Sequence, residues 1–493
     1  MARIDPSTSA RGTRNGSALT LVVPRRGPLT RIVGAIASRR IGAELVALTS
    51  IEQLESTGAQ LNVLAARDSA AGLARAREID AGAPAGPLAG APTLIKDLED
   101  WPGLPTRQGS RLLIDAPPAT VSSLSPARLA DAGAVVLGKS TLPEFAIEGY
   151  TSNLVTGVTR NPWDPARSTG GSSGGSAAAL SAGLVAIATA TDGGGSVRIP
   201  AALCGLVGLK PTTGLIGRSP EPDWIDLSTD GPLAVTTGDL ALLLEVLAGP
   251  APGDPMAPPV GVATLADWRR SADRLLLAPR LAPHQLLDPT VAAALEVAAA
   301  TVSDLTGLPL TRLEVEDLAL DGDPDADWYT TTASEHVHRL GRRRVEENWD
   351  LFHVATQEFF ARGLACSLEE YLGARRRRFS CARALDTLLG PRGLLLAPTV
   401  TVPGWPADGT DETGAVHGLD PGKLATVLAN ITGLPAISIP MGMAGGLPFG
   451  LQVLAPRYHD WRLVELAARL EAIAPWPECP PGYQTLADRL GLD

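Results

Sequence analysis

Apolar residues recur at helical spacing between Leu29 and Arg77, at Ile32, Ile36, Leu45, Leu48, Leu61, Leu64, Ala71 and Ala74, which predicts a leading helical segment. The Gly/Pro-rich stretch Gly82 to Pro87 ends it, and the pattern then shortens. Leu88-Ala-Gly-Ala-Pro-Thr-Leu-Ile-Lys-Asp97 reads as a short apolar strand with Lys96 near its end, before a turn at Trp101-Pro-Gly103. Residues 126–132 read as a helix, Ala134–Leu137 as strand, and the alanine-rich run Ala177 to Ala190 as a helix. Gly205 to Thr212 reads as a tight strand and turn, Asp230 to Thr236 as a break, and Leu240 to Leu247 as a helix. Prolines crowd Pro250 to Pro259 and mark a boundary. Helical sequence then dominates to about residue 385, with Asp288-Pro289 as an N-cap followed by an N1 proline. Leu394–Pro398, Asn430–Pro440 and Leu447–Ala455 return to strand. Short apolar runs interleaved with helices predict an α/β protein with a sheet covered on both faces.

Composition narrows this picture. At 493 residues the chain suits roughly three domains or one large α/β unit. Aromatics are only 4% of residues, so Ala, Leu and Val carry most of the packing. A net charge of −11 argues against a nucleic-acid partner, whose phosphates are held by Lys and Arg. Arg375-Arg-Arg-Arg378, preceded by Arg342-Arg-Arg344, reads as a solvated helix face. The cysteines, Cys204, Cys366, Cys381 and Cys479, have no metal-ligand spacing, and such usage fits a reducing compartment. No apolar signal or membrane span is visible, so the expectation is a soluble cytoplasmic protein that engages no membrane.

The chemistry concentrates in Ser168-Thr-Gly-Gly-Ser-Ser-Gly-Gly-Ser176 and Thr191-Asp-Gly-Gly-Gly-Ser-Val-Arg-Ile-Pro200. Glycines crowd beside hydroxyls there, where backbone must turn sharply or approach a ligand closely. A Gly/Ser linker has similar composition, but these glycines are flanked by Ala-Ala-Ala-Leu and by Val-Arg-Ile-Pro-Ala-Ala-Leu-Cys, sequence suited to a core. Lys96 at the end of an apolar strand is the other unusual feature, since lysine is rarely buried. A snorkelling lysine paired with Asp97 is the structural alternative.

Three further motifs compete. Gly133-Ala-Val-Val-Leu-Gly-Lys-Ser140 matches the P-loop pattern, but Ala-Val-Val-Leu belongs to a strand rather than a phosphate cradle. Gly171-Ser-Ser-Gly-Gly175 matches a nucleophile elbow centred on Ser173. That elbow needs a preceding strand and a histidine, whereas Arg160 to Arg167 reads as loop and none of His284, His336, His338, His353, His417 and His459 stands out. Asp321 to Asp327 starts like a calcium loop but has Ala326 where glycine is required, and reads as an acidic surface loop.

With Lys96, Gly171-Ser-Ser-Gly-Gly175 and Asp192-Gly-Gly-Gly-Ser-Val-Arg198 assembled, the chain resembles the amidase signature family. The likeness runs from about residue 30 to 472 and includes Arg160-Asn-Pro-Trp-Asp164, Gly205-Leu-Val-Gly-Leu-Lys-Pro211 and Asn430-Ile-Thr-Gly-Leu-Pro435. It implies a single α/β/α domain around a large mixed β-sheet covered by helices on both faces. It also implies amide hydrolysis of a small molecule by a Ser–cis-Ser–Lys triad, using water and neither metal nor organic cofactor. By this resemblance Ser196 is the acyl-forming nucleophile, Ser172 the bridging serine after a cis peptide, and Lys96 the base. The N–H groups of Gly193, Gly194 and Gly195, with Ser196, match the oxyanion hole; Ser173, Asp192 and Arg198 are supporting residues. Ala146 matches a backbone position near the bound carbonyl. Gly193 departs from the family, which often has Thr or Ile there, leaving the donor but freeing the loop. Tyr150 and Trp328 are candidates for the wall of the mouth.

The expected organisation is a disordered tail over 1–28, one domain over 29–475 and a C-terminal tail over 476–493. Within the domain lie a catalytic core at about 85–250, a helical substrate-side region at about 260–390 and closing strands at about 394–472. The family-level expectation is a homodimer. Amides, anilides, hydrazides, cyclic amides, ureas and carbamates all suit one acyl-transfer centre. The alternatives are the glutaminase subunit of a tRNA-dependent amidotransferase, a P-loop nucleotide hydrolase, and a non-catalytic binding protein on this scaffold.

Overall fold

A computed structural model describes residues 24–258, 271–410 and 421–492. Two sheets carry the fold. In the first, the strands run in the order Leu64–Arg67, Val135–Ser140, Pro92–Lys96 and Ile187–Ala188. Pro92–Lys96 is parallel to both its neighbours, and Leu64–Arg67 closes one edge antiparallel. The second sheet has seven strands, ordered Leu233–Ala234, Val207–Lys210, Ala436–Ala444, Leu447–Leu454, Gly393–Pro398, Arg274–Leu277 and Leu310–Arg312. Its centre is an antiparallel hairpin turned by Gly445 and Gly446, both at positive φ, the geometry of tight two-residue hairpin turns. Parallel pairing of Arg274–Leu277 with both its neighbours makes the sheet mixed. No helix among the described residues is long and apolar enough to cross a membrane.

Between the sheets lie two short, fully buried helices, Gly174–Ser181 and Arg198–Cys204. The first is built of Gly, Ser and Ala apart from Leu180, and such thin side chains let backbones approach closely. These helices follow directly from the two glycine loops and hold them at the centre of the molecule.

Several expectations change. The leading helical segment contains a strand, Leu64–Arg67, because its apolar residues also suit an edge position. Ala177 to Ala190 is helical only to Ser181. Gly183 then turns at φ 67° where any side chain would strike the Gln484 carbonyl, and Ile187–Ala188 joins the first sheet. Asn430 lies in a helix, Val427–Thr432, that stops at left-handed Gly433 before the strand starts at Ala436. The anticipated tail at 476–493 packs instead: Trp476, Leu486, Ala487 and Leu492 are buried in the main core. The anticipated disordered tail at 1–28 lies mostly outside the described residues, and Pro28 already begins a helix. Part of the proline-rich boundary at 250–259 also lies outside them.

The arginine run is not a simple solvated face. Arg375 and Arg378 both bind Asp226, and Arg377 binds Asp327. The acidic stretch 321–327 is likewise more than a surface loop: Asp323 caps the helix Pro324–Leu340, and Asp325 and Asp327 are buried in its first turn. His284 Nε2 reaches Asp325 Oδ2 at 2.9 Å.

Candidate active site

Lys96 ends the strand Pro92–Lys96 with no solvent exposure. Its Nζ meets three hydroxyls, Ser172 Oγ at 2.7 Å, Thr191 Oγ1 at 2.8 Å and Ser173 Oγ at 3.0 Å. A neutral amine has two N–H donors and one lone pair, and hydroxyls can serve as either partner, so this cage suits uncharged lysine. Burial drives the Lys96 pKa down to about 7, against an opposing pull from Glu99 and Asp192. The Gly171–Ser172 peptide is cis. A Cβ at Gly171 would lie 2.5 Å from the Tyr150 carbonyl oxygen, so no side chain fits there.

The second glycine loop is held from outside. The carbonyls of Asp192, Gly193, Gly194 and Gly195 accept from Asn430 Nδ2, Trp328 Nε1, Thr426 Oγ1 and Ile199 N at 2.6–2.9 Å. In a planar trans peptide the following N–H points opposite to the carbonyl. Anchoring these four carbonyls therefore turns the N–H groups of Gly193, Gly194, Gly195 and Ser196 away from their anchors. The space that side chains would occupy is filled. A Cβ at Gly193 would meet Trp224 at 2.3 Å, one at Gly194 would meet Trp328 at 2.7 Å, and one at Gly195 would meet Thr426 at 2.2 Å. Gly193 is thus tightly confined, contrary to the expectation of a freer loop.

Asp192 and Arg198 form a buried two-point ion pair, Nε–Oδ2 at 2.9 Å and Nη2–Oδ1 at 2.8 Å. Although burial alone would raise it, the Arg198 guanidinium holds the Asp192 pKa down at about 2. Arg198 also donates to Thr426 O, Gln452 Oε1 and Asn430 Oδ1, tying the loop to the seven-stranded sheet.

A polar cavity of about 230 Å³ opens over these groups, lined by Ser172, Thr191, Gly193, Ser196 and Ala146. Ala146 and its neighbour Phe145 hold left-handed backbone, φ 61° and 52°, a costly conformation for residues with a Cβ. Tyr150 and Trp328 are buried but do not line this cavity; Trp328 supports the loop from behind.

The competing motifs find no support in the geometry. Lys139 and Ser140 lie within the strand Val135–Ser140, with Lys139 bonded to Asp97, so no phosphate cradle forms. Ser173 sits at the start of a helix with Lys96, rather than a histidine, as its partner. His336 is packed among Phe145, Phe359 and Phe360, and His417 lies outside the described residues.

Sequence reasoning missed Thr191, Trp224, Thr426 and Gln452, together with Glu99, Arg218 and Asp230, which line the cavity, and Thr189, whose hydroxyl accepts from the Lys96 backbone N–H. Thr191 and Asn430 stood in the quoted motifs without a role. Trp224 belongs to an aromatic cluster with Phe145, Trp328, Phe352, Phe359 and Phe360, which gathers a scarce residue class against the glycine loop. Its members come from distant segments and leave no local pattern.

Comparison with known proteins agrees with this geometry. The Amidase family matches residues 45–464. A glutamyl-tRNA(Gln) amidotransferase subunit of Thermus thermophilus is 37% identical over 430 residues, covering 80% of this chain and 87% of that protein. A bacterial aryl acylamidase belonging to the amidase signature enzymes superposes with a TM-score of 0.81 at 27% identity, covering 91% of this chain and 98% of that one. A 6-aminohexanoate cyclic dimer hydrolase complexed with substrate gives 0.80 at 29% identity, covering 92% and 98%. A hydroxyl-caged lysine, paired glycine loops and a match spanning most of the chain lead to one conclusion: this protein belongs to the amidase signature family.

Proposed function

We propose that this protein hydrolyses a C–N amide bond of a small molecule through an acyl-enzyme on Ser196. The observation that carries the reading is the 2.7 Å contact from Lys96 Nζ to Ser172 Oγ, beneath a cavity that Ser172 and Ser196 share. A serine hydroxyl is a poor nucleophile until a base takes its proton, and lysine does so only when neutral. In this reading Lys96 takes the Ser172 proton while Ser172 takes that of Ser196, and Ser196 Oγ bonds to the carbonyl carbon. The N–H groups of Gly193, Gly194, Gly195 and Ser196 hold the oxyanion, and losing one such donor costs about 3–4 kcal/mol elsewhere. The C–N bond then breaks, the amine leaves with the proton returned through Ser172, and water cleaves the ester by the same relay. Asp192 and Arg198 keep the loop in shape.

The test is a panel of amides, anilides and carbamates assayed for released amine, with a fluorophosphonate to trap the nucleophile. Turnover with label on Ser196, lost in Ser196→Ala, is expected. Label on another residue, or wild-type turnover by Ser196→Ala, would overturn the assignment.

The relatives that are amidotransferase subunits support a second reading, a glutaminase that serves partner proteins. Ammonia release from glutamine that rises when a partner complex is added, with little turnover of other amides, would favour it.

A further inference from the structure

The cavity beside Ser196 holds acid that acyl transfer leaves unused. Glu99, three residues after Lys96 and 4% exposed, lines it together with Ser172 and Ser196. Its Oε2 accepts from Thr189 Oγ1, the hydroxyl that also receives the Lys96 N–H, and no described residue donates to Oε1. Asp230, 5% exposed, lines the same cavity, with Arg218 Nε at 3.2 Å from Oδ1 and Ser125 Oγ at 2.5 Å from Oδ2. Arg218 thus answers one carboxylate of the two. Glu99 also feels Arg218, engaged with Asp230, Lys139, engaged with Asp97, and Lys96, whose protonated form burial disfavours. Trp224 borders the cavity as well, 7% exposed, its indole N–H buried without a partner among the described residues.

A buried carboxyl lacking a counter-charge keeps its proton, and Glu99 is pushed up to about 8, first by burial and then by Asp230. A cation entering the cavity would supply the missing charge, an indole is a favourable neighbour for an ammonium, and the free indole N–H calls for a carbonyl beside it. We propose that Glu99, with Asp230 and Trp224, forms an ammonium subsite that selects amides carrying a protonated primary amine a short chain away from the scissile carbonyl. The proposal rests on the acyl-transfer reading for the position of that carbonyl. On binding, Glu99 gives its proton to solvent and pairs with the ammonium, whose charge in turn disfavours protonation of Lys96.

The experiment compares β-alaninamide, γ-aminobutyramide and δ-aminovaleramide with their neutral isosteres butanamide, pentanamide and hexanamide. At least one amino amide is expected to exceed its isostere in kcat/KM by about tenfold, the worth of one charge-assisted hydrogen bond. Glu99→Gln and Asp230→Asn should each bring that ratio towards one; the ratio within each variant is the readout, so a general loss of rate does not count. Calorimetry on Ser196→Ala in two buffers of different ionisation enthalpy should show proton release with the amino amide and none with the isostere. Ratios at or below one while neutral amides are turned over would overturn the subsite and leave acyl transfer standing. If no amide is turned over, the acyl-transfer reading fails, and calorimetry decides the subsite: binding no tighter than the isostere, or without proton release, overturns it.

Discussion

Lys96 and Lys139 are both fully buried, on neighbouring parallel strands, and their surroundings differ in kind. Lys139 pairs in register with Ile95, which places it on the opposite face of the sheet from Lys96. Lys139 Nζ lies 3.0 Å from Asp97 Oδ1 and donates to Pro105 O and Thr106 Oγ1. Among the described residues, Lys96 Nζ hydrogen-bonds only to hydroxyls. Burial lowers the pKa of both; the carboxylate that opposes it at Lys139, Asp97, touches the ammonium, whereas those that oppose it at Lys96, Glu99 and Asp192, are not hydrogen-bonded to Nζ. Asp97, the sequence neighbour of Lys96, therefore serves the other lysine. A third lysine sharpens the point: Lys210 is also brought down to about 7 by burial, yet among the described residues its Nζ donates only to the Pro211 carbonyl. Burial favours the neutral form of a lysine, and the hydroxyl cage is what makes Lys96 a candidate base.

The largest effect that tests this contrast is Lys96→Ala, expected to lower kcat/KM by about a thousandfold or more while circular dichroism and the unfolding midpoint stay near wild type. Loss of activity only through unfolding would make Lys96 a structural residue like Lys139. Next, Asp97→Ala leaves a buried lysine without its carboxylate and should cost about 3 kcal/mol or more of stability, read from the urea midpoint. Abolished turnover in a fully folded Asp97→Ala protein would break the distinction between the two lysines.

Gly193→Ala tests the anchored loop: its Cβ must displace Trp224, at a cost of about 1–3 kcal/mol, with slower turnover. Trp224→Ala in the same chain should recover part of the stability loss, and additive effects in that double-mutant cycle would argue against the clash. The mildest test changes no residue. Below about pH 7 Lys96 gains its proton, so kcat/KM should fall about tenfold per pH unit, and a flat acid limb would refute the assignment. The sign for stability follows from the same shift. The unfolded lysine binds a proton that the folded one rejects between pH 7 and its ordinary value of 10.5, so this group's contribution to stability improves as pH rises through that window.

The catalytic candidates were legible because their signals are local. Glycines beside hydroxyls, and a lysine at the end of an apolar strand, are each anomalous within ten residues of sequence. The groups that hold them are not local: Arg198 reaches Thr426, Asn430 and Gln452 across 228, 232 and 254 residues. Glu99 escaped notice because an acid in the turn after a strand ordinarily faces water. Arg375 and Arg378 misled for the converse reason, since a basic run on a helix is usually solvated, and Asp226 that binds them is far away in the chain.

Residue order alone carried the α/β class, the rejection of the phosphate cradle and the two glycine-framed serines, because strand propensity and glycine's backbone freedom act over a few residues; the pairing of Lys96 with those serines came from the resemblance to the amidase signature family. Folding decided which lysine received a carboxylate and which received hydroxyls, and which acids share the cavity with Ser196. It also drew the aromatic residues together behind the glycine loop. Those outcomes depend on what burial brings into contact, and the partners concerned lie on opposite faces of a strand or hundreds of residues apart.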